Sequence, residues 1–71
     1  MNETNDIQEI LSEFERIRST ITLGDDDWLS LEVNAKNVFC VVLQSPYPTD
    51  KPNPLNIRYN HKILSQWKLA E

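Results

Sequence analysis

Seventy-one residues leave room for one domain and one small core. The formal net charge is −4, and Cys40 is the only cysteine, so an internal disulfide and a cysteine-based zinc site are excluded. No apolar run approaches membrane-spanning length, and the lone thiol without a signal-peptide pattern points to a soluble protein of the reducing cytoplasm.

The charge is unevenly spread. Residues 1–32 carry nine acidic side chains against Arg16 and Arg18, whereas residues 33–71 carry two against five basic ones. An acidic half of this kind is unsuited to direct contact with nucleic-acid phosphates, and a protein partner with a basic surface suits it better.

In chain order, Ile7, Ile10, Leu11, Phe14, Ile17 and Ile21 form one apolar stripe at helical spacing, which predicts an amphipathic first helix. Asn5 or Asp6 can cap it, Asp6 with Glu9 resembles a capping box, and the β-branched run after Arg18 should end it near Arg18 or Ser19. Thr20–Leu23 is a candidate short strand. Gly24, the only glycine, opens a turn with Asp25, Asp26 and Asp27, where a positive φ would be tolerated. Trp28 to Val33 alternates as a strand does, with Leu29, Leu31 and Val33 on one side and Trp28, Ser30 and Glu32 on the other. Asn34-Ala35-Lys36-Asn37 is a hairpin connection in which Asn37 can take the left-handed position.

Val38-Phe39-Cys40-Val41-Val42-Leu43 is apolar on both faces of a two-residue period and should be the central strand. All four prolines fall between Pro46 and Pro54, a stiff extended connection. Leu55, Ile57 and Tyr59 then alternate as a short strand, and Asn60 can cap a C-terminal helix bearing Ile63, Leu64, Trp67 and Ala70. The predicted fold is a single α+β domain over residues 1–71: an antiparallel three- or four-stranded meander with an N-terminal and a C-terminal helix. The element order is α-β-β-β-β-α, or α-β-β-β-α without a strand at Thr20–Leu23.

Chemistry-bearing patterns are few. Cys40 lies mid-strand as a small packing residue, and His61 stands in the predicted last helix with nothing to unite it with a nucleophile, so no enzyme and no cofactor are expected. Three adjacent aspartates lack the alternating spacing of a calcium loop and suit a solvated turn, so no metal is expected either. The α-β-β-β-α order occurs in double-stranded RNA-binding domains, but the basic cluster that those require is missing. A helix, a meander, then Tyr47-Pro48 and further prolines before a strand resemble RWD and ubiquitin-conjugating domains over about residues 7–59. The chain lacks their His-Pro-Asn segment and downstream catalytic cysteine, so the resemblance implies a non-catalytic adaptor.

Two contact surfaces remain. Asp6, Glu9 and Glu13 follow one side of the first helix and, with Asp25, Asp26 and Asp27, could imitate phosphates. They would occupy the basic groove of a partner, a nucleic-acid-binding protein among the candidates, in the manner of a small inhibitor or nucleic-acid mimic. Trp28 would supply the apolar anchor that affinity requires. Alternatively, Val38 and Val42 point away from the Phe39, Val41 and Leu43 face. With Trp28 they form an apolar stripe through which the domain would dimerise or bind as an adaptor.

Overall fold

The computed structural model describes residues 2–70. It contains β1 (Asn2–Thr4), α1 (Ile7–Thr20), β2 (Trp28–Val33), β3 (Val38–Pro46) and β4 (Tyr59–Leu69). The strands form one sheet in the order β1-β4-β3-β2, antiparallel throughout except that β1 runs parallel to β4. The α+β class holds. The purely antiparallel meander does not, because Asn2–Thr4 adds a parallel edge strand that the polar sequence Asn-Glu-Thr does not announce.

Helix α1 begins as its sequence requires. Asp6 is the N-cap, and its side chain accepts from Gln8 N at 2.9 Å. The capping box is not closed, since Asp6 N donates to Thr4 Oγ1 at 3.1 Å instead of to the Glu9 side chain. The helix runs to Thr20, slightly beyond the expected end. Ser19 Oγ and Thr20 Oγ1 donate back to the Glu15 and Ile17 carbonyls, which satisfies helix carbonyls and makes a poor helix-forming run tolerable. Ile21 is extended, but Thr20–Leu23 pairs with nothing and is not a strand.

Gly24 also departs from expectation. It does not have a positive φ, and its value lies in close approach. Its N–H donates to Asp27 Oδ2 at 2.9 Å, and a Cβ on residue 24 would stand 2.9 Å from that same oxygen. The β2–β3 hairpin forms as predicted. Asn34 Oδ1 accepts from Lys36 N and Val38 N, and Asn37 sits at φ 59°.

The largest correction is at the C-terminal end, where no helix forms. Tyr59–Leu69 is an eleven-residue strand paired along the full length of β3. The cause lies in β3 itself. A strand apolar on both faces is stable in the middle of a sheet, where both its edges are hydrogen-bonded, and only the C-terminal segment is long enough to complete the second edge. Ile63, Leu64 and Trp67 have a spacing compatible with a helix. In the strand, the register shift opposite Val41/Val42 leaves Leu64 as an extra residue and sends Ile63 and Trp67 to opposite faces. The predicted strand at Leu55–Tyr59 is otherwise loop. There Asn53 clamps Ile57 through both its amide and its carbonyl oxygen, and Tyr47 N donates to Arg58 O at 2.9 Å to close the proline-rich connection.

Cross-strand partners define two faces. Leu29, Leu31, Phe39, Val41, Leu43 and Trp67 share one. Helix α1 packs against it, since Trp67 lines a concavity with Glu9, Ser12, Glu13 and Arg16, and Ile10 and Val41 are each only 1% exposed. Ile17 is buried as well, and with Val42, 5% exposed although it belongs to the opposite face, these side chains are the buried apolar core among the described residues. The opposite face carries Trp28, Ser30 and Glu32 of β2, Val38, Cys40, Val42 and Gln44 of β3, and Tyr59, His61, Ile63 and Gln66 of β4. Among the described residues no helix lies over it.

Candidate functional site

The bare face is built in rows across the three long strands. Pro46 pairs with Tyr59, and the Trp28–Gln44–His61 row comes next. Ser30–Val42–Ile63 forms the middle row, and Glu32–Cys40–Gln66 lies beyond it. The alternation of β2 and β3 dictates this arrangement, because residues directly opposite one another in an antiparallel pair point to the same side. Val42, between Ser30 and Ile63, is 5% exposed, whereas Ile63 is 53% exposed. Gln44 reaches across to donate to Ser30 Oγ at 3.2 Å, and Ser30 Oγ lies 3.3 Å from Glu32 Oε2.

At one end of this face, Trp28 and Tyr59 meet edge to face with ring centroids 4.7 Å apart. They line an open concavity of about 470 Å³ together with Asp25, Asp26, Asp27, Pro46 and Arg58. Hence the acidic turn and its proposed aromatic anchor do stand side by side. A second concavity of about 310 Å³ runs over Val38, Cys40, Val42, His61 and Ile63, with Glu32 on its rim. Trp28, Val38 and Val42 therefore share one surface, with Asp25–Asp27 at its edge.

The acidic side chains of α1 are elsewhere. Asp6, Glu9 and Glu13 border the concavity beside Trp67, a residue of the helix-covered face. Each also has a local use. Asp6 caps the helix, Glu9 stands in its first turn where the dipole favours an anion, and Glu13 is paired with Arg16. The two acidic sets thus do not converge on one surface.

Sequence reasoning missed Tyr59 and Ile63 as members of the site, having assigned them to a short strand and a helix. A partial signal was present, because Ile63 keeps the two-residue spacing of Leu55, Ile57 and Tyr59, with the polar His61 interrupting it. Cys40 and His61 are on the same face but not adjacent. The Val42–Ile63 pair lies between the rows that hold them. Among the described residues no three His, Cys, Asp or Glu side chains converge as a metal site, and no helix is long and apolar enough to cross a membrane. No protein-family model matches the chain, and no curated protein or solved structure matches it significantly.

Proposed function

We propose that this chain is a non-enzymatic protein-binding domain and that its contact surface is the bare sheet face, rimmed by the acidic turn. The observation that carries this is the side of the sheet opposite α1. It presents Trp28, Tyr59 and Ile63, 39%, 42% and 53% exposed, in one continuous surface with Val42 at its centre. Aromatic residues grouped around a small apolar centre make an effective contact patch, because large rigid side chains gain much area at little entropic cost. The carboxylates of Asp25–Asp27 beside Trp28 would then favour a basic group at that end of the partner, raising association rate and selectivity more than affinity. A reducing, cytoplasmic setting suits Cys40, a half-buried free thiol on this same face.

The inhibitor or nucleic-acid-mimic version needs both acidic sets to act against one basic groove. It is less favoured, because Asp6, Glu9 and Glu13 border the helix side of the sheet while Asp25–Asp27 border the other. Partner capture from lysate at low and high salt separates the two. With the bare face as the contact surface, Ile63→Lys and the double variant Asp25→Lys/Asp26→Lys lose the captured protein, and Glu9→Lys/Glu13→Lys keeps it. Loss in the helix variant with retention in the Ile63→Lys variant would reverse the assignment.

A further inference from the structure

The two edges of the sheet are unlike. One is β1, three residues long, and the other is β2, six residues long. Backbone groups of β2 turn alternately toward β3 and toward the open side. Asn34 N donates to Val38 O at 3.1 Å, which makes Asn34–Val38 a hydrogen-bonded pair. At two-residue steps the same holds for Glu32–Cys40, Ser30–Val42 and Trp28–Gln44. The intervening residues of β3 bond β4 instead, and at either end of that ladder Leu69 N donates to Asn37 O and Tyr47 N to Arg58 O, each at 2.9 Å. The N–H and C=O groups of Leu29, Leu31 and Val33 therefore point out of the sheet. Among the described residues no turn or loop backbone bonds them. Edges of this kind are commonly guarded by lysine, proline or a bulge. Strand β2 has none of these, since Glu32 is its one charge and its register with β3 is regular.

Helix α1 overhangs the sheet on this same side. With Ile10 and Ile17 turned to the sheet, the helical repeat sets Glu9, Glu13 and Arg16 on one flank and Ile7, Leu11 and Phe14 on the other. The first flank borders Trp67 of β4, so the second faces β2, beyond which no strand lies. Ile7 and Leu11 are accordingly 43% and 39% exposed, and Val33 of β2 is 56% exposed. All three stand toward one end of the sheet. Thr4 is opposite Leu69, Val38 opposite Lys68 and Val33 opposite Phe39, and α1 starts just after Thr4. Unpaired backbone and an apolar helix flank with nothing beneath it thus coincide. We propose that β2 takes up an extended segment of a partner protein as a further strand of the sheet. The chemistry of that segment follows from the edge, because only an extended backbone offers acceptors and donors at the spacing of Leu29, Leu31 and Val33. Its side chains on the α1 side are apolar and fill the space under Ile7 and Leu11. Those between them lie beside Trp28, Ser30 and Glu32 and are polar, with a cation suited to Glu32. This surface is the rim of the sheet, and it stands independently of what the bare face binds.

Amide hydrogen exchange of the full chain, read by NMR, tests this with a synthetic peptide of alternating valine and lysine as the probe. The peptide is added up to about 1 mM, the range in which a short strand is expected to bind. The expected result is an alternating pattern. Exchange at Leu29, Leu31 and Val33 slows several-fold, while Ser30 and Glu32, already bonded to β3, do not change. A peptide of the same composition with its valines in one block, and one N-methylated along its bonding edge, give no such pattern. Val33→Pro removes one outward N–H at an exposed side chain and breaks no bond to β3, so it weakens the effect at Leu31 and leaves the circular dichroism spectrum unchanged. Should Val33→Pro fail to fold, Leu11→Lys on the overhanging flank carries the same test. Absence of the alternating pattern at saturating solubility of the peptide overturns the proposal, as does peptide binding that perturbs Val42 and Ile63 and leaves the edge amides unprotected. Protection of Leu29, Leu31 and Val33 that grows with protein concentration in the absence of peptide overturns it in favour of a second copy at the edge.

Discussion

Shortening Ile10 to alanine measures how firmly α1 is held to the sheet. Ile10 is 1% exposed, and the change removes three carbons at about 0.8 kcal/mol each, plus a term for the void left behind. The sum is roughly 3 kcal/mol, a large part of the stability of roughly 4–10 kcal/mol expected for a chain this short. At roughly 4–8 °C per kcal/mol, the melting temperature should fall by about 12–24 °C. Urea unfolding followed by circular dichroism is the assay. All variants must be compared at one protein concentration, because self-association would add a mass-action contribution. Leu11→Ala, one residue along and 39% exposed, is the internal control and should cost only about 1 kcal/mol. If Ile10→Ala costs less than Leu11→Ala, the helix does not rest on the Val41 face and the assignment of covered and bare faces is wrong.

Asp6→Ala removes the side chain that accepts from Gln8 N and should cost about 1 kcal/mol, read from the same unfolding curves. Gly24→Ala places a Cβ 2.9 Å from Asp27 Oδ2 and should disturb amide signals of residues 24–28 while leaving those of β3 and β4 in place. Cys40→Ser should leave partner binding intact and cost some stability, since a hydroxyl replaces a small apolar group in a half-buried strand position. Loss of binding by a Cys40→Ser variant of unchanged stability would bring the thiol back as a functional group.

The elements legible in the sequence are those with strong local signals. Helix α1 has its stripe and its cap, β2 its strict alternation, and the hairpin its two asparagines at Asn34 and Asn37. Strand β3 was recognisable as central because it is apolar on both faces, and its two-residue period already separated Val38 and Val42 from Phe39 and Val41. What could not be read was anything decided over distance. Strand β1 is three polar residues that pair only because the end of β4 offers them an edge. Strand β4 carries a bulge at Leu64 that breaks its alternation midway, and the remaining pattern of Ile63, Leu64 and Trp67 imitates a helix. The same long-range pairing decided the site. Trp28 and Val42 could be placed on one face from β2 and β3 alone, but Tyr59 and Ile63 join them only once β4 is a strand. Nor could local pattern reveal that Asp25–Asp27 and the helix carboxylates border opposite sides of the sheet.

The central claim is that α1 covers one face of the sheet, while the opposite face leaves Trp28, Tyr59 and Ile63 exposed around the buried Val42 and available to a partner. Methyl NMR with a soluble paramagnetic agent across a dilution series tests it most directly. In dilute solution the Ile63 and Val38 methyl signals should broaden strongly, while those of Ile10 and Val41 stay sharp. When a partner captured by the protein is added, Ile63 and Val38 should become protected and Ile10 and Val41 should not change. Protection of Ile63 and Val38 at every dilution, with nuclear Overhauser contacts to another segment of the same molecule, would contradict it.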